Sequence, residues 1–371
     1  MFKKIIQFTH NDLDGYACTV VAKVFARLVE EQTGVKIPVE SINCDYSSID
    51  FTIAEKMSGL AVTDKDYKET MFIVSDISWK SMVVTSLLSN TEWFVFADHH
   101  KSSEYLAREM SKLDKSGKRM SVSVEGKWCG AYKLYDCLVD ILDANGIELP
   151  LSICDCLEDF LEIVNGWDLW LWAEDPKIVN QKSAFNLLNQ KAPKLNAFLD
   201  FFAKDGKESE FVDRMFDLIC NSVERTFNKD LNRIYSDTEG FNEYLKQQAK
   251  TIEESTYRYY RFHLGMTVYR GIDALLFTVP EGFNNKSIVS MVANNKTSSL
   301  KKDFDCLMIY EIGSNTVSLR YPNDGIDLSD VAKYNTLAKN TSGGGHPFAA
   351  GFQVEPEKMM ELLDSIRIRT L

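Results

Sequence analysis

Long apolar runs, paired cysteines, histidine and surplus basic charge are all scarce in this 371-residue chain. No stretch reaches the ~18 consecutive apolar residues that a membrane-spanning helix needs, so no membrane span is expected. The opening Met1-Phe2-Lys3-Lys4 meets Gln7 and then Thr9-His10-Asn11-Asp12 too early for a signal-peptide core, and a cytoplasmic protein is expected. Eight cysteines are scattered without a Cys-x-x-Cys pair, which speaks against a zinc ribbon or a disulfide framework and suits free thiols. Cys154-Asp155-Cys156 reads as ordinary helix composition. Lys+Arg 42 against Asp+Glu 54 leaves a net charge of −12. That balance argues against holding long nucleic acid by phosphate neutralisation. A short phosphorylated substrate stays compatible, above all where bound metal supplies positive charge.

What is present reads as α/β. Lys4 to Phe8 is a short apolar strand, and Gly15 to Glu31 a helix with Cys18, Val21, Ala22, Phe25 and Leu28 on one face. Val35 to Cys44 follows as a strand. Thr70 to Asp76 and Trp93 to Asp98 are continuous apolar runs that each end on a carboxylate, as in a buried parallel sheet. Ligands of such sheets collect beyond the carboxyl ends of the strands. From Cys129 to Ser183 the pattern is mostly helical, and from Asn189 to Arg261 helical and highly charged. Strands at Tyr269 to Val279, Phe304 to Ile312, Thr316 to Tyr321 and Ala349 to Val354 mark a smaller α/β domain, with helices near 285–295 and 327–339. The expected organisation is a catalytic domain over 1–189, a helical connector over 190–261 and a second domain over 262–371.

Four of the five histidines lie beside Asp or Gly at loop positions. In His10-Asn11-Asp12-Leu13-Asp14-Gly15, an extended backbone turns His10, Asp12 and Asp14 to one side, and Gly15 permits a sharp entry into the helix. A helix cap would use one carboxylate; this loop offers two and an imidazole. Asp76 and the Asp98-His99-His100 triplet stand at strand ends, and Asp168 follows Gly166-Trp167. Alone, Asp76 and Asp168 would also serve as caps. Together these segments point to Asp and His ligands from four strand ends, with no Cys among them. Such donors suit Mn²⁺, Mg²⁺, Fe²⁺ or Co²⁺ better than structural zinc, and the carboxylates suffice for two ions sharing a bridge. Further on, Gly343-Gly344-Gly345-His346 reads as an anion-binding nest or, alternatively, a hairpin turn. Arg320 is a candidate phosphate clamp. Trp167, Trp170 and Trp172 suit packing better than base stacking.

These motifs, in this order over nearly the whole chain, resemble the DHH phosphoesterases that carry a C-terminal DHHA1 domain. The opening THNDLDGYACTVVAKV is most similar to oligoribonucleases of the nano-RNase B type. The resemblance implies an N-terminal parallel-sheet DHH domain and a DHHA1 domain that grips substrate. It implies two divalent cations, Mn²⁺ first, with Mg²⁺ or Co²⁺ as alternatives. His10 and Asp12 would hold one, and Asp14, His99 and Asp168 the other, with Asp76 bridging. His100 would stand near the scissile phosphate, with Asp98 behind the histidines, and Arg320 with Gly343 to His346 would hold the substrate. The two-residue step from His10 to Asp12 is narrower than in many relatives, pyrophosphatases included. The expected activity is hydrolysis of dinucleotides and short RNA oligomers to nucleoside monophosphates, with no membrane or long-duplex partner and a homodimer left open. A pyrophosphatase or exopolyphosphatase, a cyclic or linear di-nucleotide phosphodiesterase, and a nucleotide-sensing module are the alternatives.

Overall fold

The computed structural model describes residues 2–60, 68–100, 103–113, 119–124, 127–174, 178, 181–222, 226–256, 259–267, 270–280, 285–297, 300, 303–338, 343–359, 361 and 363. It divides into two compact units, 1–173 with 194–241, and 174–193 with 242–371. The charged helical stretch 190–261 is thus shared between the units, and most of it clusters with the first.

In the first unit, five parallel strands stand in the order β2-β1-β3-β4-β5: β1 Lys4–His10, β2 Val39–Cys44, β3 Thr70–Ser75, β4 Trp93–Asp98 and β5 Arg119–Val124. Strands β3 and β4 are buried throughout, because helices cover both faces of the sheet. One face sends Ile6, Phe8, Phe72, Val74, Phe94 and Phe96 into a core with Ile53, Met57, Trp79 and Met110. On the other face, the helices Leu13–Thr33 and Gly130–Ala144 pack on each other and on the sheet. Gln7 is buried there and donates to Ser75 Oγ at 2.9 Å. Leu13–Thr33 also packs against Glu208–Asn221 and Leu151–Asp168. Their apolar faces are what hold the charged helical stretch to this unit, since an amphipathic helix is stabilised chiefly by burying its stripe.

The second unit holds a six-stranded mixed sheet in the order β10-β11-β9-β8-β7-β6. Its strands are β6 Tyr259–Leu264, β7 Ile272–Val279, β8 Cys306–Glu311, β9 Thr316–Arg320, β10 Gly344–His346 and β11 Ala349–Gln353. Only β7 and β8 pair in parallel; the other neighbours run antiparallel. The helix Leu328–Tyr334 packs on one face, with Leu276, Met308, Leu319 and Phe352 in that core. Ala293, from the helix Lys286–Lys296, joins Leu275, Phe277, Phe304 and Leu307 on the other. The α/β class with a parallel first sheet is therefore observed. Strand β6 begins inside the stretch expected to be helical to Arg261. Its alternate residues are exposed, so Tyr260-Arg261-Phe262-His263-Leu264 carries a period-two alternation that the charge of the preceding helices masked.

Candidate metal centre

The first three strands of the expected set deliver their ligands at the carboxyl ends. His10 ends β1, Asp76 immediately follows β3, and Asp98 ends β4 with His99 and His100 next. The fourth contributor is a correction. Asp168 is the last residue of the helix Leu151–Asp168, neither at a strand end nor at a helix start.

These residues meet. His10, Asp12 and Asp76 form one group of converging ligand atoms, and Asp14, His99 and Asp168 another; a third comprises Asp76, Asp98, His99 and His100. Asp76 faces both of the first two: its Oδ2 lies 3.9 Å from His10 Nδ1 and its Oδ1 3.4 Å from His99 Nε2. His99 Nε2 is also 3.3 Å from Asp168 Oδ2. Asp76 takes a left-handed backbone with φ 56°, a conformation Asp tolerates better than most residues. That turn carries its carboxylate out of the strand direction and between the two groups.

Asp12, Asp14 and Asp98 are each held by hydrogen bonds. Asp12 caps the helix Leu13–Thr33, accepting from the Gly15 N–H at 3.0 Å, while its other oxygen lies 2.6 Å from His10 Nδ1. Asp12 is thus a cap and a ligand candidate at once. Gly15 is required by close approach more than by a sharp turn, because a Cβ there would lie 2.0 Å from the His10 carbonyl oxygen. Asp14 accepts from Gly130 N–H at 2.6 Å and Ala131 N–H at 2.9 Å, at the start of the helix Gly130–Ala144. Unpaired N–H groups and the positive end of the helix dipole both favour the anion there. Asn165, one turn before Asp168, accepts from the Cys129 N–H at 2.8 Å and ties the two helices together. Asp98 accepts from the His99 and His100 backbone N–H groups at 2.7 and 3.2 Å, from His100 Nδ1 at 2.8 Å and from the Ser103 hydroxyl. Asp98 is therefore saturated behind the histidines.

The charges are not balanced internally. Burial, then the neighbouring Asp14, Asp12 and Asp168, pushes Asp76 well above the usual carboxylate range. Asp168 is pushed up by burial and by Asp14, Asp12 and Asp98. Asp14 is raised by burial and Asp12, although His99 opposes the shift. Asp12 is the exception: burial opposes ionisation, but the hydrogen bond and charge of His10 bring it down to about 2. Asp76 Oδ2, Asp168 Oδ2 and His99 Nε2 are buried and lack hydrogen-bond partners. Unpartnered acceptors crowded among like charges carry a large desolvation cost. Divalent cations would remove it, and the Asp/His donor set fits hard or borderline ions.

The remaining expected residues lie in the second unit. Arg320 ends β9; its Nη1 donates to the carbonyls of Leu319 at 2.8 Å and Ala350 at 3.4 Å, and its buried Nε has no partner. No carboxylate pairs with it among the described residues. Gly344, Gly345 and His346 form β10, paired with Gly351, Ala350 and Ala349 of β11. Gly344 and Gly345 therefore belong to a hairpin strand, in place of a convergent nest. Gly343 is glycine because a Cβ would lie 1.8 Å from the Ala332 carbonyl oxygen. Asn340, Thr341 and Ser342 lie outside the described residues. Trp167 and Trp172 stack on each other with centroids 5.9 Å apart, as packing predicts. The sequence reading missed Gly130, Ala131, Asn165 and Tyr46, whose ring lies 5.2 Å from His10. Only the Gly at the start of an apolar helical run hinted at any of them.

Residues 272–368 match the DHHA1 domain model. A curated relative, the oligoribonuclease NrnB of Bacillus subtilis (strain 168), is 23% identical over 94% of this chain and 73% of its own length. The second unit thus carries a match to the DHHA1 domain, and the chain is similar to DHH/DHHA1 phosphoesterases. Two solved structures superpose loosely. One is an uncharacterised protein of Helicobacter pylori G27, at 17% identity and TM-score 0.39, covering 98% of each chain. The other is the pGpG-specific phosphodiesterase of Vibrio cholerae, at 11% identity and TM-score 0.47, covering 100% of this chain and 98% of that one. The DHHA1 match and the Bacillus relative support a hydrolytic phosphoesterase, and the Asp/His cluster could hold metal. No helix among the described residues is long and apolar enough to cross a membrane.

Proposed function

We propose that this protein is a metal-dependent phosphodiesterase that hydrolyses short oligoribonucleotides, from dinucleotides to short oligomers, to nucleoside monophosphates. The observation that carries the reading is the position of Asp76 between two ligand groups, His10/Asp12 and Asp14/His99/Asp168. In this reading His10 and Asp12 would hold one divalent cation and Asp14, His99 and Asp168 a second, with Asp76 shared between them and Mn²⁺ the favoured ion. Bound there, such cations would supply polarisation of a phosphoryl group and a lowered pKa for an attacking water. Asp98 fixes the His100 ring through Nδ1, and His100 is proposed to stand near the scissile phosphate.

Arg320 and the Gly343–His346 strand are proposed to hold the substrate backbone. A buried guanidinium nitrogen without a partner favours an incoming phosphate, which a planar fork can bind through two oxygens. A net charge of −12 agrees with a substrate that offers few phosphates. The Bacillus relative, named for oligoribonuclease activity and aligned over most of both chains, supports RNA as the substrate class.

The deciding experiment is a labelled RNA ladder from the dinucleotide upward, incubated with Mn²⁺, Mg²⁺ or chelator. Release of nucleoside monophosphates from the shortest members, abolished by chelator, is the expected result. Orthophosphate from pyrophosphate, with RNA left intact, would replace this reading with a pyrophosphatase.

A further inference from the structure

We infer that Tyr46 is a positioning residue for His100, and that it works through its hydroxyl; the inference rests on the catalytic reading of the cluster given above. Tyr46 follows β2, the edge strand next to β1, in a turn that leads into the helix Ile49–Leu60. The turn is tightly built. Ser48 Oγ accepts from the Asp45 N–H at 3.1 Å, and the Asp45 carbonyl accepts from the N–H groups of Ser48 at 2.9 Å and Ile49 at 3.0 Å. The Tyr46 ring is thereby carried over two histidines from strands that are not neighbours. Its centroid is 5.2 Å from His10, at the end of β1, and 6.0 Å from His100, beyond β4, with the latter pair edge-on at 88°. Its hydroxyl lies 3.3 Å from His100 Nε2.

The other imidazole nitrogen is already committed. His100 Nδ1 donates to Asp98, a buried carboxylate that four donors occupy. With Nδ1–H donated, Nε2 of the neutral ring carries the lone pair and accepts from the phenol; a cationic ring would donate to the phenol oxygen instead. The hydroxyl satisfies Nε2 in either state, so the contact orients the ring independently of its charge. A ring held at both nitrogens cannot swing about χ2 without breaking one bond. Tyr46 itself is 39% exposed, so burial of its ring does not explain its placement. An apolar side chain would cover His10 as well; only a hydroxyl reaches Nε2.

The test separates the hydroxyl from the ring. Tyr46→Phe in the Mg²⁺-loaded protein is read by side-chain ¹⁵N–¹H spectra of the five histidines, with His100→Gln assigning the signal. The expected result is a displaced His100 Nε2 resonance with His10 and His99 unmoved. In turnover of the shortest RNA, Tyr46→Phe should lower kcat about tenfold, with KM and Mn²⁺ affinity within about twofold, since small misplacements of a reacting group are costly. The same substitution in a His100→Ala background should cost nothing further. An unmoved His100 resonance overturns the inference, as does an equal loss in both backgrounds or a parallel loss of Mn²⁺ affinity. If wild-type protein cleaves no RNA, the functional reading fails, while the spectrum still decides the Tyr46–His100 link.

Discussion

The backbone N–H of Gly130 donates to Asp14 Oδ2 at 2.6 Å, joining two positions 116 residues apart at the candidate metal centre. A Cβ at Gly130 would lie 2.7 Å from Asp76 Cβ and 3.0 Å from Asp14 Oδ2. Gly130→Ala should therefore push apart the Asp76 carboxylate and the Asp14 carboxylate held by the helix start. Overpacking of this kind costs about 1–3 kcal/mol, and the folded chain should survive it. The expected outcome is unchanged far-UV circular dichroism with Mn²⁺ affinity lowered at least about tenfold by calorimetry. Wild-type affinity would show that the helix start yields without disturbing the ligands.

Asp76→Asn should remove turnover almost completely and yet stabilise the metal-free protein. Asn accepts the left-handed backbone at φ 56° and removes a carboxylate that burial and three neighbouring acids push well above its usual range. Scanning calorimetry with chelator should show a higher Tm than wild type at pH 8, while the Mn²⁺-induced rise in Tm shrinks. Retained activity would remove Asp76 from the bridging position.

Metal-free protein should lose stability as pH rises. Asp14, Asp76 and Asp168 all have folded pKa values raised, chiefly by burial and then by one another and Asp12. Raised values mean that the folded state holds protons the unfolded state releases, so the stability they contribute is full below about pH 4 and declines as pH climbs through the folded values. Asp12, lowered to about 2, works in the opposite direction, but its contribution is lost only as pH falls below about 4. Tm measured with chelator should fall from pH 5 to 8, and saturating Mn²⁺ should flatten that slope. A chelated protein whose Tm rises over this interval would refute the electrostatic account.

Substitutions in the second unit should act on binding. Arg320→Ala and His346→Ala should each raise KM for a dinucleotide about tenfold or more, with a smaller effect on kcat. Steady-state kinetics settles the point, since a fall in kcat at unchanged KM would assign them to the chemical step. Arg320→Lys should not restore binding fully, because an ammonium lacks the planar fork.

Much of the centre was legible because its ligands come in short runs at ends of apolar strands. His10-x-Asp12-x-Asp14 and Asp98-His99-His100 declare themselves within six residues, and the apolar runs before them mark the strands. Asp168 was legible as a residue but not in its setting, because an Asp after Gly-Trp looks alike at the start or the end of a helix. Gly130 has only its place at the start of an apolar helical run, and Asn165 and Tyr46 carry no local signal. Their roles arise from a backbone amide, a carboxamide and a phenol meeting partners 116, 36 and 54 positions away. The glycine run left a nest and a hairpin turn both open, and pairing of Gly344 to His346 with Ala349–Gly351 decided for the hairpin.

By itself, the sequence determined which residues carry charge and imidazole, where β1, β3 and β4 end, and that the first sheet is buried on both faces. These are local properties, set by composition and by the period of apolar side chains. Tertiary structure alone decided that the separate segments share Asp76, that a helix start holds Asp14, and that Tyr46 reaches His100. Each of those depends on the register of β3 between β1 and β4 and on how closely the helix Gly130–Ala144 approaches the sheet. Such long-range spacings are fixed by packing to within a few tenths of an ångström, and no local pattern in the chain encodes them.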